Sequence, residues 1–266
     1  IGLGASAAFG VASAAAFAEL FGIELSEFQT VQSAAMAELS FMSIATSLTD
    51  HLVSTVSHEG SCVFVDLREL SYDYLPLDFS EIDFLITISN VPQISSAQDL
   101  EFRRLKCESC LSVIKERKIA QTLRDVSVED VRDVLDGLPE DARRLCTHVV
   151  QENDRVRHAA KLLEERSYEA LGKLLTRSQD SLRDSYEVSC PEIDWLIKRA
   201  AETDGILGSR MVGPGFGGCT LSLIRKDAVD TYLYNIEEYE RIFGFKPEWF
   251  RLSPVSGARR LPILVN

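Results

Sequence analysis

Two runs of small residues in this chain are suited to holding a phosphate group. The first opens a long alanine-rich stretch and comprises Gly2, Leu3, Gly4, Ala5, Ser6 and Ala7. Backbone N–H groups at a helix N-terminus attract anions, and small side chains let the anion approach them closely. We therefore predict that this run is a phosphate-binding loop, with the N–H groups of residues 4–7 directed at the phosphates.

The second run lies far along the chain, at residues 213–218. Its glycines are Gly213, Gly215, Gly217 and Gly218. Such a segment makes a poor strand and a poor helix, because glycine tolerates positive φ and lets another backbone come close. Each run by itself is as typical of tight turns at packing contacts as of a binding loop. The pair, in this order, is the more specific signal.

Together with several other segments, the two runs resemble the second and third motifs of the GHMP kinases, and within that group the galactokinase family. The other segments are residues 66–68, 89–91, 103–108, 148–153 and 181–192, so the resemblance extends over nearly the whole chain. It implies an α+β, two-lobed GHMP-kinase-like fold with the N-terminal part of the first lobe missing. We assign residues 1–80 to the remainder of the N-terminal lobe and residues 81–266 to the C-terminal lobe.

The resemblance further implies a cytoplasmic, ATP- and Mg²⁺-dependent kinase that phosphorylates the anomeric (C1) hydroxyl of galactose or a related sugar. Phosphoryl transfer requires alignment, neutralisation of charge and a group that handles the proton of the acceptor hydroxyl. Ser6 matches the metal-binding serine of the family. Its simpler alternative role is an N-cap. The late glycine loop is expected to pack against the phosphate-binding loop and to lend it an amide.

Two carboxylates complete the site that the resemblance implies. Glu38 matches the family's helical Mg²⁺ ligand, and Asp50, twelve residues later, matches the aspartate that contacts the anomeric hydroxyl. Phe41 keeps the aromatic that usually lies between them. Mg²⁺ prefers one or two carboxylates together with phosphate oxygens and water, a demand that Glu38 and Ser6 meet. Asp50 either deprotonates or orients the acceptor. Spacing alone would indicate two ordinary surface acids.

The departures from the family pattern concentrate on the sugar side. Around the catalytic aspartate galactokinases usually show Pro-Cys-Gly-Ile-Met-Asp-Gln, whereas here Ser47 replaces the glycine and His51 the glutamine. His51 is interpreted either as a contact to the acceptor or as a surface histidine. Leu100 stands at the position of a sugar-packing tyrosine and lacks its flat face. We name Ser47, Asp50 and Leu100 as the sugar-binding residues.

Three functions remain open on these grounds. The leading one is the sugar kinase, and a kinase with a shifted sugar preference would show the same departures. The second is a non-catalytic sugar or nucleotide sensor that acts through a protein partner. The third is a kinase for a non-sugar alcohol such as mevalonate, against which residues 66–68 and 148–153 argue because they are galactokinase-like.

The composition of the chain excludes some classes of binding partner. A net charge of −13 argues against nucleic acid or an anionic membrane as the main partner, and 45% apolar residues suffice for a sizeable core. No apolar stretch of the sequence is predicted to span a bilayer. The expected partners are a small sugar and a missing N-terminal segment of the same protein.

The six cysteines are scattered along the sequence. We interpret Cys107 and Cys110 as two free thiols in a reducing cytosol. A metal site is the weaker interpretation, because no second Cys/His pair accompanies them.

Periodicity predicts the elements that must position these residues. Helices are expected at residues 5–21, 26–42, 48–58, 99–117, 128–135, 139–161, 168–185, 191–201 and 228–243. Strands are expected at residues 62–67, 71–77, 84–89, 208–212, 220–224 and 248–252. The first helix carries apolar residues on most faces and is expected to be buried on several sides. Arg210, just before the late glycines, is interpreted as a structural cation or, less favourably, as a phosphate contact.

Overall fold

The computed structural model describes residues 2–42, 47–92, 97–134 and 137–260, which form two compact units. Residues Gly2–Asp78 make up the first unit together with the C-terminal segment 253–260, and Phe79–Leu252 make up the second. The grouping of the C-terminal segment differs from the division drawn from the sequence. Its physical basis is direct hydrogen bonding, because the N–H groups of Gly257 and Ala258 donate to the carbonyls of Ser57 and Ser54 at 2.7 and 2.9 Å.

The first unit contains three helices and a hairpin. The helices are α1 (Ala5–Phe21), α2 (Glu27–Met42) and α3 (Leu48–Val56), and the antiparallel strands are β1 (Ser61–Asp66) and β2 (Ser71–Pro76). All five elements confirm the predicted pattern to within about two residues at each end. Gly22 ends α1 in the left-handed conformation with φ 63°, as its position after the apolar run predicts.

The prediction that α1 is buried on several sides is wrong for the described chain. Only Ala7 and Val11 of this helix are buried. The helix packs against α2 and α3 on one side, and its other faces carry exposed apolar side chains such as Phe9, which is 76% exposed. Extended apolar surface of this kind is typical of a face that a further element or partner covers. That a missing segment of the same protein covers it stays a prediction.

The second unit is a four-stranded antiparallel sheet with helices. Strand order is β4-β5-β3-β6, with β3 (Ile82–Ile88), β4 (Ile206–Val212), β5 (Cys219–Arg225) and β6 (Glu248–Arg251). The helices are α4 (Ala97–Lys115), α5 (Val128–Asp133), α6 (Glu140–Glu164), α7 (Tyr168–Asp184), α8 (Pro191–Ala201), α9 (Val229–Asn235) and α10 (Glu238–Phe243). A buried cluster that includes Leu85, Leu196, Tyr232 and Tyr239 joins strands to helices.

The predicted helix at residues 228–243 is in fact two helices, α9 and α10. The break follows Asn235, and the Ile236 N–H bonds back to the Tyr232 and Leu233 carbonyls at 3.1 and 3.3 Å. The turn allows Tyr232 and Tyr239 to pack in the same core cluster. A short 3₁₀ helix at Leu123–Asp125 was not predicted, although the reciprocal capping between Thr122 and Asp125 gives it a recognisable sequence signal.

Candidate active site

The early glycine run forms a left-handed turn that leads directly into α1. Gly2 and Gly4 have φ of 72° and 70°, values that glycine adopts without steric cost. Gly4 is the N-cap of α1, no side chain caps the helix there, and its first turn carries no acidic residue. The N–H groups that follow Gly4 lie at the positive end of a 17-residue helix. The loop therefore has the backbone geometry of an anion site.

This geometry excludes one of the two roles considered for Ser6. The N-cap is Gly4, so Ser6 already lies inside the first turn of α1, and the N-cap interpretation is wrong. Ala7 is buried and anchors that turn, whereas Ala5 and Ser6 are exposed. The Ser6 hydroxyl is consequently available at the same helix end as the predicted phosphate-binding amides.

Asp50 lies against the phosphate-binding loop. A Cβ placed on Gly4 would meet the Cγ of Asp50 at 3.2 Å and its Oδ2 at 3.3 Å. The carboxyl belongs to an exposed residue in the first turn of α3. Ser47 is the N-cap of that helix, with its Oγ accepting from the Thr49 N–H at 3.2 Å. Ser47 thus fixes where α3 begins, and the start of α3 sets Asp50 beside Gly4.

Glu38 is linked to the same region through His51. The Nε2 of His51 lies 2.9 Å from Oε2 of Glu38, and their side chains are 1% and 9% exposed. The two atoms are close, although the contact is not aligned as a straight hydrogen bond. His51 is therefore not the surface histidine that the sequence suggested. It is a buried neighbour of the predicted metal ligand.

The packing of α1 on α2 tests whether Ser6 and Glu38 could serve one ion. A Cβ on Gly10 would lie 3.3 Å from the Cβ of Ala34, so the two helices touch closely there. The short connection between them makes an antiparallel pair. One turn back from Gly10 is Ser6, and one turn forward from Ala34 is Glu38, which places both at the same level. A hydroxyl and a carboxylate so arranged fit a Mg²⁺ ion that also binds phosphate oxygens.

The late glycine loop belongs to the second unit. Gly213, Gly215, Gly217 and Gly218 all have positive φ, between 88° and 122°. A side chain on Gly215 would meet the Cβ and carbonyl oxygen of Val188 at 2.6 Å. The Gly218 carbonyl accepts from the backbone N–H and Oγ of Ser89 at 2.9 and 2.7 Å. Close backbone packing inside this unit accounts for the glycine at 215. The predicted amide donated to a phosphate stays a prediction.

Sequence reasoning assigned no role to Arg103, which braces this loop. Its guanidinium donates to the carbonyls of Asp99, Tyr186 and Glu187 at 2.6–2.9 Å. It also lies over the ring of Phe216, 5.3 Å from the centroid. The pair of arginines at 103–104 was among the quoted segments, but nothing in their spacing shows which of them is buried.

The remaining predicted residues divide between the two units. Leu100 is half-buried on α4 in the second unit. Phe41, on α2 of the first unit, is 94% exposed. The structural interpretation of Arg210 is confirmed, because its Nη1 lies 2.9 Å from Oε1 of Glu152 and its Nε donates to the Met211 carbonyl.

Within the described ranges, no group of three or more His, Cys, Asp or Glu side chains could by itself hold a metal ion. All six cysteines are free thiols. Burial raises the pKa of the Cys107 thiol to about 11, with the neighbouring Cys110 adding to the shift. No helix in the described part of the chain combines the length and apolar character needed to cross a bilayer.

Glu152 is the centre of a partly buried polar network in the second unit. Ser178 donates to its Oε1 at 2.6 Å, and Arg155 contacts its Oε2 at 2.6 Å. Burial by itself would raise the pKa of Glu152, but the hydrogen bond from Ser178 and the charges of Arg210 and Arg155 outweigh it and lower the pKa. Next to this network, His148 is buried, and its Nδ1 lies 2.8 Å from the Ser181 Oγ.

His148 gives the unit an expected pH dependence. Burial, assisted by Arg155 and Arg210, lowers its pKa to about 4 against the opposing charge of Glu152. Because the folded pKa lies below the unfolded value, this contribution is fully present above about pH 6.5 and is lost as pH falls toward 4. Wild-type protein should lose on the order of 2–3 kcal/mol more unfolding free energy over that range than His148→Gln. Urea titrations at pH 7, 5.5 and 4.5 measure this, and parallel pH profiles would contradict it.

Comparison with known proteins fits this architecture. The family model described as GHMP kinases N terminal domain matches residues 1–58, and the one described as GHMP kinases C terminal matches residues 159–239. The fold and the two family models thus identify a GHMP kinase, a phosphotransferase with an alcohol group as acceptor.

Individual relatives narrow the family. Galactokinase of Thermosipho africanus is 33% identical over 261 residues, which is 98% of this chain and 72% of that protein. Galactokinase of Thermotoga neapolitana is 36% identical with the same coverage. The crystal structure of Lactococcus lactis galactokinase complexed with galactose matches with a TM-score of 0.92 at 25% identity, over 98% of this chain and 68% of that one. The chain belongs to the galactokinase family.

The same fold extends beyond that family. The mevalonate kinase of L. major has a TM-score of 0.61 at 19% identity, over 96% of this chain and 67% of the other. At this identity the likeness shows a shared fold alone.

Proposed function

We propose that this chain is an ATP-dependent kinase that phosphorylates the anomeric C1 hydroxyl of galactose or a closely related sugar. The proposal rests on its membership of the galactokinase family and on the arrangement inside the first unit. The observation that carries it is the contact of Gly4 with Asp50, since a Cβ on Gly4 would stand 3.2 Å from the Asp50 carboxyl carbon. A phosphate-binding loop and a carboxylate are thereby side by side.

In the proposed reaction the loop and Asp50 have separate tasks. The N–H groups at the start of α1 and the helix dipole hold the phosphates of ATP. The sugar C1 oxygen bonds to the γ-phosphorus while the bond from that phosphorus to the β-phosphate oxygen breaks and ADP leaves. Asp50 orients the attacking hydroxyl and receives its proton. Because Asp50 adjoins the loop, an acceptor touching its carboxylate is also close to the terminal phosphate.

Mg²⁺ would be held by the Ser6 hydroxyl and the Glu38 carboxylate. When bound, it supplies charge neutralisation to the phosphate oxygens. The residues themselves explain why this position suits a cation, since Glu38 is a largely buried carboxylate on α2, at the level of the α1 turn that carries Ser6.

A product assay tests the activity. The chain is mixed with ATP, Mg²⁺ and single hexoses or pentoses, and ³¹P NMR identifies the phosphorylated position. We expect a galactose 1-phosphate signal. A different sugar 1-phosphate would show that the acceptor is another sugar and the reaction is the same. Leu100 at the sugar-packing position is consistent with such a change. Sugar or nucleotide binding by calorimetry with no product from any sugar would overturn the kinase and favour the sensor.

A further inference from the structure

His51 occupies a special place next to the proposed metal ligand. It lies in the first half of α3, adjacent in sequence to Asp50, and is 0% exposed. Its Nδ1 lies 3.3 Å from the carbonyl oxygen of Ser47 and its Nε2 lies 2.9 Å from Oε2 of Glu38. The ring therefore spans from the beginning of its own helix to α2. Neither end of it reaches solvent.

The Glu38 carboxylate has little contact with water, so the groups that face it matter. Its side chain is 9% exposed, and a carboxylate removed from water is costly unless a charge or hydrogen-bond donor faces it. The imidazole is fixed in place, since its Nδ1 faces the Ser47 carbonyl, so the Glu38 carboxylate beside its Nε2 has fewer orientations open to it than a free side chain has. Groups that orient a metal ligand in this way commonly change metal affinity or activity by about 10–100-fold.

We infer that His51 is a positioning residue that holds the Glu38 carboxylate in the orientation in which it binds the divalent cation of the nucleotide complex. The inference rests on the proposed function, because it takes Glu38 as a metal ligand. His51 itself touches neither the nucleotide nor the sugar in this role. The same helix thus carries two consecutive side chains with different tasks: Asp50 faces the acceptor, and His51 sets the metal ligand.

A binding measurement on the whole chain tests the inference without relying on turnover. Mn²⁺ serves as the probe, and EPR of the free ion reports its binding in the presence of ATP. His51→Leu should weaken Mn²⁺ binding about 10–100-fold. His51→Gln, which offers an amide N–H to Glu38, should restore it to within about threefold. His58→Leu is the matched control, since His58 is exposed beyond the end of α3, and should bind Mn²⁺ as the wild type does.

A double-mutant cycle shows whether His51 acts through Glu38. Glu38→Gln should weaken Mn²⁺ binding, and adding His51→Leu to it should cause no further loss. Losses that multiply in the double variant would overturn the inference. So would a folded His51→Leu protein with wild-type Mn²⁺ binding.

The test stays decisive if His51→Leu fails to fold. His51→Asn keeps an amide on a shorter side chain that falls short of Glu38, so it should bind Mn²⁺ about tenfold more weakly than His51→Gln. Equal binding by the two variants would overturn the inference. Failure of the proposed function looks different: wild-type protein would bind Mn²⁺ and ATP and form no sugar phosphate, while the differences among the His51 variants would persist.

Discussion

Asp50→Asn should lower kcat about 10³-fold and leave ATP affinity nearly unchanged. The amide keeps the shape that packs against Gly4 but cannot accept the proton of the acceptor hydroxyl. It also removes a negative charge beside the predicted phosphate loop, so nucleotide binding should stay equal or become slightly tighter. Coupled detection of ADP release gives kcat, and calorimetry gives the dissociation constant of ATP.

Asp73→Asn is the matched control for this prediction. Asp73 is an exposed acid on β2 in the same unit, and its replacement should leave kcat within about twofold. If Asp50→Asn turned over at the wild-type rate, Asp50 would lose its assigned task. If the ATP affinity fell as steeply as kcat, its role would be in nucleotide binding instead.

Much of the fold could be predicted because its helices have local stop and start signals. Gly22 after an apolar run and Pro191 at a helix start mark boundaries that the structure reproduces. Strands β3 and β5 are rich in apolar residues and were also predicted from the sequence. The break between α9 and α10 could not be predicted, because both halves share one helical periodicity. The turn at Ile236 is set by tertiary packing.

The resemblance to a family named the residues of the site, but the contacts among their side chains could not be predicted. The two glycine runs indicate where the backbone can come close to a ligand or to another backbone segment. They do not indicate which of the two it contacts. His51 shows the limit, because its environment is set by Glu38 on another helix, and no spacing rule relates a lone histidine to a buried acid. The resemblance had placed Gly4 and Asp50 in one site, but the direct contact between them required coordinates.

Gly208→Ala should destabilise the second unit by more than about 3 kcal/mol. Strand β4 crosses α7 so closely that a Cβ on Gly208 would stand 1.9 Å from the carbonyl oxygen of Gly172. The obstacle is backbone on both sides, so no flexible side chain can move away. Differential scanning calorimetry should show the transition of this unit lowered by about 10 °C.

Gly137→Ala is the control for the loss of a glycine as such. Its added Cβ would find only the Cγ1 of Val113 at 3.6 Å, an ordinary contact, and the unfolding free energy should change by less than about 0.5 kcal/mol. Gly172→Ala approaches the same crossing from the helix, with the Leu207 carbonyl oxygen 2.2 Å from the new Cβ, and should match Gly208→Ala. Either substitution creates a clash that is relieved only if α7 and β4 move apart. The two substitutions therefore share one loss of unfolding free energy. A double variant about as unstable as either single one is therefore expected, and two full, additive losses would show that the helix and strand do not meet at these glycines.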